Sequence, residues 1–449
     1  MNPALRSITT EIAHAKEAQG DGGSAASPRS AQTTHEAEAQ VYPWYVIHAC
    51  ECVRDVFDVV EGQLAVGMRP YLLTPRGGGN ASHYLQERRS ESEEPASLLT
   101  AWNHVRNWRR SLAESDAQSA AEIVHAHSFA SGMAAVRALP NTVYDLHTFV
   151  ELLAVAAGHC DERSWLARSF RVAEQFILSR AASVIVHADS LRTPVIERGA
   201  SAESVFCIPQ PVASAWLETQ PQFDGAAERV NFFAPDVGVT TSSPEQDHIT
   251  AAVNLLTAFQ LALGEAPEIT LTVVPEEANR SLIMQTVQNL GIAASVRVES
   301  DGTTERDVMT RSCDVVIAGA SGRDEAKLIY RAHLPNRSML RAMSAGRAVL
   351  AADSVANRNV SADGRGCVWY GAAEASPREM ATRIAFLARN VDFRSALGRA
   401  ARAHVEQTRS MRAVGAQYDR AYQHAHLKRR DRGTATPLSL PLHPAFGRF

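Results

Sequence analysis

The 449-residue sequence lacks any run of eighteen apolar residues, so no helix of membrane-spanning length is expected. Its first stretch, MNPALRSITTEIAHAKEAQG, carries no apolar core of the kind that directs secretion. A cytoplasmic location is expected, with the inner face of the membrane as the one alternative. A dominant charge is also missing. The 45 Lys and Arg stand against 49 Asp and Glu, a formal net charge of −4, which gives no electrostatic case for nucleic acid as a partner. Cysteine is sparse: of the six, only Cys50 and Cys52 are close, and no C-x-x-C or spaced His pair accompanies them. Neither a disulfide framework nor a metal centre is expected, and the thiols read as reduced and structural.

What is present is a globular composition, 45% hydrophobic and 21% charged, in a chain too long for one ordinary core. Two domains are therefore expected. The most informative stretch is Leu334–Asp353, LPNRSMLRAMSAGRAVLAAD. Pro335 suits a first helical turn, Met339, Leu340 and Met343 recur at helical spacing, and Gly346 suits a left-handed cap. Ala348–Ala352 then reads as a buried strand, as does Cys313–Ala318 before it. Strand, loop, helix and strand make a βαβ unit. Such units aim a helix N-terminus at the carboxyl edge of a parallel sheet, where anions are commonly held.

Composition and punctuation divide the chain. Residues 1–40, with GDGGSAASPRS, read as a weakly ordered extension. A first Rossmann-like domain is expected over 41–212 and a linker over 213–228. A second Rossmann-like domain comes next over 229–392, then terminal helices over 393–426 and a basic, proline-rich tail over 427–449. Within the first domain, strands are expected at Trp44–Ala49, Arg69–Thr74, Ile123–His127, Thr142–His147, Ser183–His187 and Ser204–Pro209. Gly77–Gly79 reads as a loop, since no clear helix start comes after it. The second domain opens on a strand at Val230–Ala234, with a turn through Gly238 after it.

These elements, in this order, resemble family 4 glycosyltransferases of GT-B fold. The family's second domain carries a strand with Asp, then P-x-K-x-x-E-x-M-A-x-G-x-P-V-V-A. The matching positions here are Asp314, Pro335, Arg337, Met343, Gly346 and Val349. Val143–Val212 resembles the end of the family's first domain. The IVHAH and TVYDLH strand ends resemble its D-v-v-H-a-H and v-x-T-x-H elements, and Phe393–Tyr422 resembles the helices that cross back to the first domain.

The resemblance implies an α/β protein of two doubly wound domains facing a cleft. It implies transfer of a hexosyl group from a nucleotide sugar to a polysaccharide, lipid-linked or other glycoconjugate acceptor, retaining and metal-independent, with no cofactor. His147 stands where relatives place a histidine that reaches the donor sugar, so it is the catalytic candidate, with His127 facing the cleft. Donor contacts fall on Arg337, Arg341, His333 and Gly238. The sequence departs from the family where the donor diphosphate is usually clamped. The turn Asp236–His248 keeps Gly238 but has no Arg or Lys, and the two family glutamates are replaced by His333 and Arg341. That departure leaves a second reading open, a non-catalytic GT-B homologue that binds a glycan or a partner glycosyltransferase. A sugar-nucleotide epimerase of the same fold ranks below both, and peripheral membrane contact through the tail is a further expectation.

Overall fold

The protein is described from a computed structural model. The described residues are 44–50, 56, 59–60, 62–64, 66–74, 77–80, 98–114, 122–156, 158–218, 229–237, 246–275, 277–299, 308–319, 336–371 and 377–432. Both expected terminal segments, 1–40 and the tail beyond 432, lie outside them, as do His333 and Gly238.

The described strands form two sheets. The first contains β1 (Tyr45–Ala49), β2 (Arg69–Thr74), β3 (Gly77–Asn80), β4 (Ile123–Ala126), β5 (Thr142–Leu146), β6 (Ser183–Val186) and β7 (Val205–Cys207). Their spatial order is β3-β2-β1-β4-β5-β6-β7. All pairs are parallel except β2–β3. The triple glycine, expected as a loop, is thus an edge strand. Its glycines pair with Leu72, Leu73 and Thr74, backbone partners that need no side chain.

The second sheet contains β8 (Val230–Val237), β9 (Ile269–Pro275), β10 (Val296–Val298), β11 (Val315–Ala318), β12 (Ala348–Asp353) and β13 (Cys367–Gly371). It is wholly parallel, in the order β10-β9-β8-β11-β12-β13.

Each sheet is buried on both faces, as parallel sheets must be, and alternate residues feed two cores. On one face of the first sheet Ile47, Val124, Tyr144 and Val184 pack with Ala134 and Ile177 of two covering helices, Phe129–Ala138 and Trp165–Arg180. On the other face Val46, Ile123, Val143 and Ile185 meet Val414, Tyr418 and Tyr422 of the terminal helix, Met411–Arg432. Hydrogen bonds fasten the same helix: Trp44 Nε1 donates to Asp419 Oδ1 at 2.7 Å, and Ser183 Oγ donates to the Ala421 carbonyl at 2.8 Å.

Only this last helix returns to the first domain. The preceding one, Val391–Thr408, stays with the second, where Ala401 and Val405 join Met343, Val349 and Cys367 in one core. Gly366 permits that approach, because a Cβ there would lie 2.2 Å from Ala401 Cα. The terminal helix also runs to Arg432, so the expected tail begins later than residue 427.

The expected linker starts as structure. Ser214–Glu218 is a short helix, and Val212, Ala213 and Trp216 belong to the second domain's core. Arg402 donates to the carbonyls of Trp216, Leu217 and Ser344, tying this helix to the Val391–Thr408 helix. The Leu334–Asp353 unit folds as expected with one adjustment. Its helix is Arg337–Ser344, capped by Asn336, whose side chain accepts from Met339 N at 3.0 Å. Pro335 therefore precedes the helix. Gly346 adopts φ +69°, the left-handed conformation that suits glycine. Just before β11 the chain makes a single wide turn at Val308–Ser312.

Candidate active site

The carboxyl ends of β1, β4, β5 and β6 do not read as buried parallel strands. Apolar residues alternate there with histidine and aspartate: His48, His125 and His127, Asp145 and His147, then His187. Side chains two apart share a face. That face is the one the terminal helix covers. Its amino-terminal half is apolar and its carboxyl-terminal half is a polar cluster.

Asp145 is the centre. It is 2% exposed, and four imidazoles approach its carboxylate. His187 Nε2 lies 2.9 Å from Oδ1, whereas His127 Nδ1 (3.2 Å), His125 Nε2 (3.4 Å) and His147 Nε2 (4.0 Å) surround Oδ2. None of the four approaches has hydrogen-bond alignment, which leaves both carboxylate oxygens without a hydrogen bond.

An outer ring of contacts is well aligned. His127 Nε2 meets His48 Nδ1 at 2.8 Å, and His48 Nε2 meets Gln63 Oε1 at 2.8 Å. Gln63 Nε2 donates to Tyr422 Oη at 2.6 Å, which lies 3.0 Å from His125 Nδ1. Tyr422 comes from the terminal helix, so that helix completes the site. His187 Nδ1 donates to the Ile208 carbonyl at 2.8 Å.

Burial governs the charges. It pushes His48 and His127 down to about 3 and His125 down to about 4, so these rings are neutral at physiological pH. Burial also opposes an imidazolium at His187, but the Asp145 carboxylate outweighs it and raises that ring. Burial likewise opposes ionisation of Asp145, yet His187 and His147 hold it well below the usual carboxylate range.

The two histidines expected to face the cleft part company. His127 is buried inside the cluster. His147 is its rim: its side chain is 23% exposed, with its ring 5.2 Å from that of His187 and 6.2 Å from that of His127. Sequence reasoning missed His48, His125, Asp145, His187, Gln63 and Tyr422. The signal for the first four was present as polar residues at alternate positions near strand ends that should otherwise be apolar.

Behind β5, on the opposite face, a second charged group holds the segment just after His147. Glu174 and Glu151 are buried, and Arg198 pairs with Glu151 and lies 3.7 Å from Glu174. Burial, then the nearby Glu151 carboxylate, push Glu174 up to about 8, so it is protonated at neutral pH. The Arg198 guanidinium also sits 3.5 Å from the Phe149 ring centroid.

The second sheet's carboxyl edge is built differently. Gly319 comes directly after β11 with φ +69°, and a Cβ there would lie 2.7 Å from Asn357 Nδ2 and 3.4 Å from Asn336 Nδ2. Tyr370 Oη donates to its carbonyl at 3.3 Å. Arg337, half-buried, is the first residue of the helix beside this close-packed turn. Arg341 lies one helical turn on, its guanidinium 5.7 Å from the ring centroid of Trp216 in the linker helix. Thus Arg337 opens the helix beside this turn, while Arg341 leans toward the linker helix.

Comparison with known proteins agrees with this division. Residues 52–211 match the glycosyl transferase 4-like domain. No curated protein matches the sequence significantly. Similar solved structures cover most of the chain. A glycosyltransferase from Rickettsia africae is 12% identical, with TM-score 0.58 over 85% of this chain and 98% of that one. Sucrose-phosphate synthase from Thermosynechococcus elongatus is 13% identical, with TM-score 0.60 over 85% and 98%. Anabaena HepE in complex with UDP-glucose is 15% identical, with TM-score 0.57 over 84% and 99%. The chain as a whole has the GT-B fold, two doubly wound domains facing a cleft with a terminal helix crossing back to the first.

Proposed function

We propose that the protein is a glycosyltransferase moving a hexosyl group from a nucleotide sugar to a polysaccharide, lipid-linked or other glycoconjugate acceptor. The observation that carries this reading is His147: a partly exposed imidazole at the carboxyl end of a strand, backed by a buried carboxylate, on a glycosyl transferase 4-like domain. In this reading His147 contacts the sugar being transferred, and Asp145 with the rings around it fixes the floor beneath.

The donor diphosphate carries negative charge that must be met in a partly dry cleft. Arg337 at the start of its helix supplies cationic charge, and the helix dipole adds to the attraction. Arg341, His333 and Gly238 remain donor-side candidates, with His127 now assigned to the floor. Side chains of this kind allow metal-independent departure of the nucleoside diphosphate, and retention of configuration rests on the family resemblance. No helix among the described residues is long and apolar enough to cross a membrane. We place the reaction in the cytoplasm, where a lipid-linked acceptor would be met at the inner membrane face.

Activity is tested by incubating the purified chain with UDP-, GDP- and ADP-sugars and measuring release of the nucleoside diphosphate, with and without glycan acceptors. Release from one donor class, reduced at least ~100-fold by His147→Ala, supports the reading; a positioned acid or base contributes on that scale. One feature favours the second reading, a binding protein or partner of another transferase: no Arg or Lys stands between Asp236 and His248. Absence of release from every donor, with retained glycan binding, decides for it.

A further inference from the structure

The cluster around Asp145 contains a closed circuit. From Asp145 Oδ2 it runs through His127, His48, Gln63, Tyr422 and His125, and back to the same oxygen. Hydrogen-bond direction can be traced around it. Gln63 Oε1 accepts, so His48 Nε2 carries the proton and its Nδ1 is bare. His127 Nε2 must then carry a proton, and a neutral His127 turns a bare Nδ1 toward the Asp145 carboxylate at 3.2 Å. On the other arm Gln63 donates to Tyr422, Tyr422 donates to His125 Nδ1, and His125 Nε2–H faces Asp145.

Rotating the Gln63 amide by 180° reverses every arrow. His127 then presents N–H to the carboxylate and His125 presents the bare nitrogen. His127 Nδ1 and Asp145 Oδ2 are both buried, face each other at 3.2 Å and make no hydrogen bond. Burying polar atoms in that state is costly.

A third ligand-type atom stands beside this pair. His147 Nε2 lies 4.0 Å from Asp145 Oδ2. The three ligand-type atoms of His127, Asp145 and His147 all fall within 4.8 Å of one another. Two imidazole nitrogens and one carboxylate oxygen are a donor set for Zn²⁺, with bonds of about 2.0–2.2 Å and a fourth position left for water or a ligand. His127 and Asp145 already stand at a separation such bonds allow. The rim position of His147 leaves its ring room to close the remaining distance, and gives an ion a way in. The outer ring is also what a metal-bound histidine needs, because His127 Nε2–H donates to His48, which Gln63 holds in turn.

We propose that this chain binds a first-row divalent cation, with Zn²⁺ as its probe, through His127 Nδ1, Asp145 Oδ2 and His147 Nε2. The site lies in the first domain. Because the ion occupies His147, and if His147 serves transfer as proposed above, Zn²⁺ inhibits transfer rather than supporting it.

The test uses the full-length chain stripped of metal. Titration calorimetry with Zn²⁺ alone should show one site per chain. His147→Ala, at the rim where folding is least at risk, and Asp145→Asn should each weaken it at least ~10-fold, the lower bound set by loss of an outer partner alone. Gln63→Ala should weaken it less than His147→Ala does. Co²⁺ should give the visible absorption of a four-coordinate site, lost in His147→Ala. No Zn²⁺ binding to the folded wild type at ~100 μM, above any affinity a built three-ligand site would show, overturns the proposal. So does binding that His147→Ala and Asp145→Asn leave unchanged. These readouts need no transfer activity, so an inactive protein that binds Zn²⁺ through these residues fails the proposed function and keeps the metal site.

Discussion

The two sheets place their polar groups by different means. On the first, the site is written into the strands: His48, His125 and Asp145 are strand residues, and His127, His147 and His187 are the positions just beyond strand ends. On the second, no described strand carries a histidine; β12 ends on Asp353, and further polar groups at this edge sit on the connecting segments: Asn336 and Arg337 at a helix start and Asn357 after β12, beside Gly319 after β11. Side chains on packed strands are rigid and mutually buried, so their chemistry is set by desolvation and by one another. Groups on connecting segments are set by the local backbone, and here they pack closely: Asn357 is buried and its amide lies against Gly319. The first edge is therefore suited to holding a charge pattern in place, and the role proposed for the second rests on Arg337 at its helix start.

The sharpest way to break this contrast is to remove the centre of the first edge. Asp145→Ala leaves the raised His187 ring buried without its carboxylate, and should cost ~3–5 kcal/mol in denaturant unfolding, the scale for half of a buried ion pair. A loss below ~1 kcal/mol would mean that Asp145 is not what holds the cluster. On the second sheet, Gly366→Ala forces a Cβ against the Ala401 backbone at a position with φ +78°. Overpacking of this kind costs ~1–3 kcal/mol, so destabilisation should appear in the same assay without loss of Zn²⁺ binding in the first domain.

A smaller effect concerns the first domain's other face. Glu174 is raised by burial to about 8, above its unfolded value near 4.5. The folded state thus holds the proton more tightly than the unfolded chain. This contribution to stability is full below about pH 4.5 and is lost as pH rises through about 8. Glu174→Gln should flatten that window in urea unfolding. An unchanged pH slope would show that Glu174 is ionised in the folded protein, paired with Arg198 in place of Glu151.

Much of the fold was legible because it rests on burial and punctuation. Alternation and apolar runs marked most of the described strands, and Gly346 marked a helix end. The triple glycine misled because an edge strand needs only backbone, which composition does not report. The terminal helices were read as one unit, yet Ser410 separates a helix that packs on Ala348–Ala351 from one that packs on Tyr418's side of the first sheet. Of the site, His147 and His127 were legible from strand ends, and Arg337 from its helix start. Asp145, His187 and Tyr422 were not, because they meet only when β5, β6 and the terminal helix, far later in the chain, are brought together.

In the proposed function the second edge receives a nucleoside diphosphate through Arg337 while the first edge holds His147 for chemistry. Calorimetry of UDP, GDP and ADP against wild type, Arg337→Ala and His147→Ala tests it directly. The wild type should bind one nucleotide class. Binding should be weakened by ~1.5–3 kcal/mol in Arg337→Ala, the scale of a charged hydrogen bond, and unchanged in His147→Ala. Equal binding by wild type and Arg337→Ala, or no binding of any nucleotide by the wild type, would contradict it.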